Sequence, residues 1–296
     1  MDFLFKFPDM GRDNLRDFKK DVDTSFLEFS GEYGEAIEKA FDPLLYFLVW
    51  FEKLLINTPW PIILMVIGGL AWFGSRSIKI SIGSVLSLSL IGYLGMWQDT
   101  MSTLAIVSAA TFLCIVIGIP LGIWMARSDR VQAIITPILD VMQTIPAFVY
   151  LIPVVMLLGI GKAPGLLATC IYAIPPIVRL TNLGIRLVSK DALEAADAFG
   201  ANYWQKLFGV QIPLALPNIF AGMNQTIMMA LSMVVIASMI GVAGLGIPVL
   251  RSISNQYLAL GLLNGLAIVA LAIIFDRITQ AYGKRLQKHR YGEHND

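Results

Sequence analysis

Apolar residues run through this chain in long blocks that charges interrupt only at wide intervals. Crossing the hydrocarbon core of a bilayer as a helix takes about 20 apolar residues. Windows of that order lie at Pro59–Ser75, Ile80–Gln98, Thr100–Ala126 and Val131–Gly161, the last broken only by Asp140. A fifth opens near Ala163 and meets its first charge at Arg179. Leu207–Leu250 carries no charge at all, and Ser252–Phe275 closes the series. The Leu207–Leu250 window is long enough for one span with apolar shoulders or for two, and the distribution of cations decides between them. Basic residues gather on the cytoplasmic side of membrane proteins. Arg76 and Lys79, then Arg127 and Arg130, then Arg186, Lys190 and Lys206, and finally Lys284, Arg285, Lys288 and Arg290 follow alternate windows. The intervening loops hold only Lys162 and Arg251. One span in the long window puts every basic loop on one side. The pattern therefore predicts an all-α membrane protein of about seven transmembrane helices, amino terminus outside and carboxyl terminus in the cytoplasm.

Residues 1–57 break the pattern, with twelve Asp/Glu and seven Lys/Arg. Within them, Ile37, Phe41, Leu45 and Leu48 recur near helical spacing. That periodicity predicts an amphipathic helix, lying in the headgroup region or packed on the bundle. The expected division is a polar segment 1–57, a membrane domain 58–282 and a basic cytoplasmic tail 283–296. The start "MDFLFKFPDM" meets charge too early for a signal-peptide h-region.

Composition agrees with lipid as the solvent: 56% of the 296 residues are hydrophobic and 15% charged, against about 25% charged in soluble domains. A net charge of +1 gives no reason to expect nucleic acid. Cys114 and Cys170 sit inside apolar runs, as packing residues do, and His289 and His294 lie in the polar tail, so no metal site is expected.

One loop differs from the rest. In "DALEAADAFGANYWQKLFGVQIP" (Asp191 to Pro213), Ser189 is placed to cap a short helix whose first turn carries Asp191. Asp191, Glu194 and Asp197 share one face, and Ala192, Ala195, Ala196 and Phe199 the other. Gly200 is placed to end the helix, and Tyr203, Trp204, Leu207 and Phe208 begin a second apolar face. A small-faced helix projecting into the cytoplasm suits docking in a groove of another protein; an ordinary solvated loop is the alternative.

The chain carries no energy source of its own. "GIGKAP" at Gly159–Pro164 imitates the end of a phosphate-binding loop, but Met156 replaces the first glycine and Ala163 follows the lysine. The passage Glu194-Ala195-Ala196, three residues, Gly200, nine residues, then Val210-Gln211-Ile212-Pro213, resembles the EAA signature of permease subunits of bacterial ATP-binding-cassette importers. "LDVMQTIPAFVYLIPVVMLLGIGKAPG", "AIPPIVRLTNLGI" and "NQTIMMALSMVVIASMIGVAGLG" are similar to the permease of glycine betaine/proline betaine importers, over about residues 58–285. The resemblance implies a type I importer permease fold in the bacterial inner membrane. It further implies a permease homodimer, two ATPase subunits that bind ATP and Mg, and an extracytoplasmic substrate-binding protein. Loop 189–206 would then be the coupling element, with Asp191, Glu194, Ala195, Ala196, Asp197, Gly200, Tyr203 and Trp204 meeting the ATPase. The chain itself would hold no catalytic residue and no cofactor.

Polar groups inside spans mark transport paths. Asp140, Gln143 and Thr144 share a helix face, and Pro146 and Pro153 are placed to break that helix. Asn224, Gln225, Ser232 and Ser238 supply candidates in the long window. For each, an interhelical hydrogen bond is an equal reading. Phe148, Tyr150 and Tyr172 are conceivable cation–π waypoints for a quaternary ammonium group, with packing as the alternative. Gly241, Gly244 and Gly246, ahead of Pro248, read as a flexible outer segment forming a gate or a docking rim. The expected function is import of betaine-type compatible solutes. Choline, carnitine, proline or trimethylamine N-oxide are alternative cargoes, and an ion-coupled secondary transporter, which would usually show inverted repeats, is a rival from another class.

Overall fold

The computed structural model describes residues 9–288, with side chains as far as Gly283. The side chains of Lys284, Arg285 and Lys288, and all of Lys6, His289, Arg290 and His294, lie outside the described residues. The described chain is helical, without a strand: α1 (Arg12–Asn57), α2 (Trp60–Ser75), α3 (Ile78–Tyr93), α4 (Trp97–Arg127), α5 (Asp129–Thr144), α6 (Leu151–Leu158), α7 (Lys162–Arg186), α8 (Lys190–Ala198), α9 (Tyr203–Lys206), α10 (Ile212–Ala237), α11 (Gly246–Asn255) and α12 (Leu258–Lys288).

Four continuous helical stretches among the described residues are long and apolar enough to cross a membrane alone: Trp97–Arg127, Lys162–Arg186, Tyr203–Ile240 and Leu258–Gly283. Two more reach that length only as bent pairs, α1 with α2 at 110° and α5 with Ala147–Leu158 at 107°, and α3 is a shorter apolar helix. Each of the seven predicted windows is thus occupied by helix. The Leu207–Leu250 window is one helical passage to Ile240, after which Gly241 turns the chain in the left-handed region (φ +83°) into the separate α11. Pro146 sits at the sharp bend, as its missing amide and fixed φ predict. Pro153 falls in the first turn of α6, where proline is tolerated, and breaks nothing.

The centre of the bundle is α7, wedged between α4 and α10. On α4, Ala110, Cys114, Gly118 and Gly122 recur every fourth residue, all buried, and let α7 approach closely. Ile177 of α7 fills the dents left by Gly118 on α4 and Gly222 on α10. The two cysteines belong to this seam: the Cys114 thiol donates to the Cys170 carbonyl at 3.5 Å. A Cβ at Gly122 would sit 2.7 Å from the Val178 carbonyl oxygen and 2.6 Å from Thr181 Cβ. Gly122→Val is therefore expected to destabilise the detergent-solubilised protein by about 1–3 kcal/mol or more, read as earlier thermal unfolding. Gly69→Ala, which meets nothing within 4 Å, should be neutral or slightly stabilising.

Helix α1 starts far earlier than the predicted amphipathic run and extends about 69 Å at 1.5 Å per residue. It lies on the bundle along one stripe: Gly34, Leu48 and Glu52 are buried, and Ile37, Phe41 and Leu45 are half-buried. Gly34 abuts Leu157 of α6, and the Ser30 hydroxyl donates to the Met156 carbonyl at 2.9 Å. Farther along, the buried Glu52 carboxylate accepts from Ser102 Oγ at 2.8 Å and pairs with Lys162. These partners lie at the end of α6 and the starts of α4 and α7, so α1 covers the end of the bundle opposite α8.

Candidate functional site

The loop between α7 and α10 is built by its own side chains. Ser189 Oγ accepts from the Ala192 amide at 3.4 Å and starts α8. Gly200 ends it with φ +72°, its amide donating to Asp197 O and that of Ala201 to Ala196 O. Asn202 then opens α9 with a capping box: its side chain accepts from the Gln205 amide, and the Gln205 side chain accepts from the Asn202 amide. Asp197 pairs with Lys206 at 2.6 Å, which ties α8 to α9. No residue of α8 is buried. Asp191, Glu194 and Ala195 are exposed and Ala196 is half-buried, while Phe199 is 91% exposed. Trp204 and Phe208 stack on each other at 5.9 Å, both largely exposed. Phe199, Trp204 and Phe208 thus leave apolar side chains exposed beside the charges of α8.

Two arginines, which the sequence offered only as topology markers, flank this loop, and one of them contacts it. Arg127, the last residue of α4, places its guanidinium 3.7 Å above the Tyr203 ring and 5.6 Å from that of Trp204. Arg186, the last residue of α7, pairs with Asp129 at 2.7 Å and donates to the Met125 carbonyl at 3.0 Å. The turn between α4 and α5 is therefore held by α7 through Arg186, while the end of α4 meets α9 through Arg127.

Along α7, residues 172, 179 and 186 lie seven apart and so share one face. Two meet residues of α5 and one the turn beyond the bend: Arg186 meets Asp129, Arg179 pairs with Asp140 at 2.5 Å, and the Tyr172 ring stands edge-on to Tyr150 at 6.5 Å. Asp140 is thus paired to a charge on a neighbouring span. Gln143 and Thr144 are exposed on the same helix, and the Thr144 hydroxyl donates to its own helix at Val141 O. The Tyr150 hydroxyl donates to the Met142 carbonyl and its ring is buried, whereas Phe148 is exposed.

The candidates on α10 divide. Asn224 donates to Asp276 Oδ1 at 2.6 Å and accepts from Thr279 Oγ1 at 2.9 Å, joining α10 to α12. Of its two sequence readings, the structure favours the interhelical bond. Gln225 is exposed on a cleft of about 500 Å³ beside that network. Ser232 is exposed one face-step further on, its hydroxyl bonded to Met228 O. Ser238 is buried and bonds within its own turn, to Val235 O. The glycine segment corrects its reading. Gly241 is exposed, but Gly244 and Gly246 are buried and fitted rather than flexible. A Cβ on Gly244 would meet Thr103 Oγ1 at 2.6 Å, and one on Gly246 the Val234 carbonyl at 2.6 Å. Thr103 Oγ1 also accepts from the Leu245 amide at 2.9 Å. Close backbone approach to α4 and α10 is what requires glycine there.

Among the described residues, no three His, Cys, Asp or Glu side chains are grouped to hold a metal. Lys162, which follows the imitation phosphate loop, is occupied by Glu52.

Residues 118–288 match the family model described as "Binding-protein-dependent transport system inner membrane component". The chain is 53% identical over 242 residues to the glycine betaine/proline betaine transport system permease protein ProW of Escherichia coli (strain K12), covering 82% of this chain and 68% of that protein. It is 50% identical over 229 residues to the glycine betaine/carnitine transport permease protein GbuB of Listeria monocytogenes, covering 77% and 81%. In fold it resembles an inward-facing structure of the MetNI methionine ABC transporter, with a TM-score of 0.57 and 19% identity over 62% of this chain and 93% of that one. The length of the match to the family model and the identities to two permeases, on a bundle with this exposed and braced loop, agree: the chain belongs to the family of inner membrane components of binding-protein-dependent transport systems.

Proposed function

We propose that this chain is the membrane-spanning permease of an ATP-driven importer for betaine-type compatible solutes. The observation that carries this reading is the loop 189–206: capped at both of its helices, exposed on its outer surface and braced to the end of α4 through Arg127. A separate ATPase subunit, binding ATP and Mg, takes this loop at Asp191, Glu194, Ala195, Ala196, Asp197, Gly200, Tyr203 and Trp204. Two permeases and two ATPases form the complex, and an extracytoplasmic binding protein delivers the solute. The loop end of the bundle faces the cytoplasm and α1 lies on the outer surface, with the amino terminus outside. The path runs past Asp140, Gln143, Thr144, Phe148 and Tyr150 on one side and Gln225 and Ser232 on the other. The packed Gly241–Gly246 turn stands at its outer rim. Closure of the ATPases moves α8 as a rigid element and alternates access.

The names of the relatives support a zwitterionic quaternary ammonium cargo, since one is named for glycine betaine and proline betaine and the other for glycine betaine and carnitine. Competition in vesicles carrying the assembled complex and its binding protein tests the cargo. Unlabelled glycine betaine and proline betaine should displace labelled glycine betaine at the lowest concentrations. Displacement at lower concentrations by choline, proline, carnitine or trimethylamine N-oxide would move the assignment to that solute.

A further inference from the structure

Arg179 lies seven residues inside α7 from Arg186, about 10 Å from the helix end at 1.5 Å per residue. Charges at such depth are costly and face a wet cavity or one another. Here the pairing is present but incomplete. Arg179 Nη2 pairs with Asp140 Oδ1, yet the Asp140 side chain remains 56% exposed and that of Arg179 35% exposed. In addition, Arg179 Nε is buried with no hydrogen-bond partner. The pair is therefore neither a closed interior clasp nor a surface ion pair. It is a guanidinium using one corner of its fork, opposite a carboxylate that is more than half exposed on the bundle. Gln143 and Thr144 extend the polar strip by one turn, both exposed on the same helix.

We propose that Arg179 and Asp140 form a zwitterion-binding waypoint on the membrane path, a role that rests on the importer reading above. The pair opens to take a substrate carboxylate on the Arg179 guanidinium at Nη2, the corner that Asp140 now holds. The substrate's ammonium centre then faces Asp140. In the empty protein Asp140 stands in for the substrate carboxylate, so no charge is left uncompensated before or after the exchange. A quaternary ammonium group has no N–H to donate, so Asp140 attracts it by charge alone. Recognition at this point therefore depends on the carboxylate. Betaines and carnitine carry one; choline, of the same cationic class, does not.

The test is a labelling experiment on the full complex in vesicles of phosphatidylglycerol, which exclude a zwitterionic lipid headgroup as the occupant. Asp140→Cys is made in a Cys114→Ala/Cys170→Ala background, these being the chain's two cysteines. The probe is 2-(trimethylammonium)ethyl methanethiosulfonate. The introduced thiol should react in the nucleotide-free or the ATP-trapped state, and saturating glycine betaine should slow the reaction at least threefold, choline much less. Absence of reaction in both states, no protection, or equal protection by choline would overturn the waypoint.

A second arm separates it from a helix clasp. Asp140→Leu/Arg179→Met should keep assembly but lose at least tenfold in solute taken up per ATP hydrolysed. An unchanged yield per ATP would make the pair a clasp only. If that variant does not assemble, Arg179→Lys should transport at least threefold less solute per ATP, and an unchanged ratio refutes the idea. Uptake that persists without the ATPase would sink the importer reading whatever the labelling shows. ATP-driven uptake with an unlabelled thiol sinks only the waypoint.

Discussion

Gly200→Val is expected to lower solute uptake about tenfold or more while leaving the permease folded and inserted. Gly200 sits at φ +72°, and a Cβ there would meet no atom within 4 Å. The obstacle is thus backbone conformation alone, since a β-branched residue in the left-handed region costs about 1–2 kcal/mol. A strain of that size corresponds to about 5–30-fold in an equilibrium. The cheapest relief is to unwind the turn between α8 and α9, because both are exposed while the bundle behind them is packed. The consequence is a displaced Glu194 face and a loosened grip of Arg127 on Tyr203. Glu194→Arg, which reverses a charge on the exposed face without altering the backbone, should act in the same direction. Uptake and ATP hydrolysis measured in the same vesicles read the effect as uptake lost per ATP consumed. Gly83→Ala, an open position on α3, is the control. Normal uptake in both loop variants would count against a docking role for α8.

The second large effect concerns the opposite end. Lys162→Ala is expected to destabilise the protein by about 3 kcal/mol, because removing one partner of a buried ion pair leaves the other uncompensated. Glu52 is 7% exposed and has Ser102 as its remaining donor. The double variant Glu52→Leu/Lys162→Met should recover most of the loss, since a buried pair can often be replaced by well-packed apolar groups at little cost. Thermal unfolding gives the stability. Trypsin cleavage at Lys19, Lys20 and Lys39 of α1 reports whether that helix has lifted, and the single variant should be cut faster than the double. Equal stability of the Lys162→Ala variant and the parent would mean that α1 is held elsewhere, at Ser30 and Gly34.

Much of this architecture was legible in the sequence because lipid allows so few alternatives. Each window of apolar residues is occupied by helix, the cation count chose one span for Leu207–Leu250, and Ser189 and Gly200 delimited α8, whereas α11 across Arg251 was not foreseen. The bend at Pro146 followed from proline chemistry. What the windows could not give were the tertiary pairings. Arg179 looked like the end of a span; only the fold brings it beside Asp140, although the spacing of 172, 179 and 186 already put three polar or aromatic groups on one face. Arg127 and Arg186 served as topology markers because their partners, Tyr203, Trp204 and Asp129, depend on how α4, α5 and α9 converge. The glycines at 244 and 246 read as flexible because local sequence does not distinguish a glycine that bends from one that lets another backbone come close. The early start of α1 was missed although Leu15, Phe18, Val22, Phe26 and Phe29 recur there at helical spacing: the stripe is interleaved with charge and is not buried in the bundle.

The central claim is that nucleotide hydrolysis on a separate subunit drives this bundle through the loop 189–206. Its most direct test is glycine betaine accumulation in vesicles containing the permease and its binding protein, with and without the ATPase subunit and ATP. Accumulation should require both the subunit and hydrolysable ATP, and should disappear when the ATPase is present but Gly200→Val replaces the native loop. Accumulation by the permease in the absence of the ATPase, driven by an ion gradient, would contradict the account.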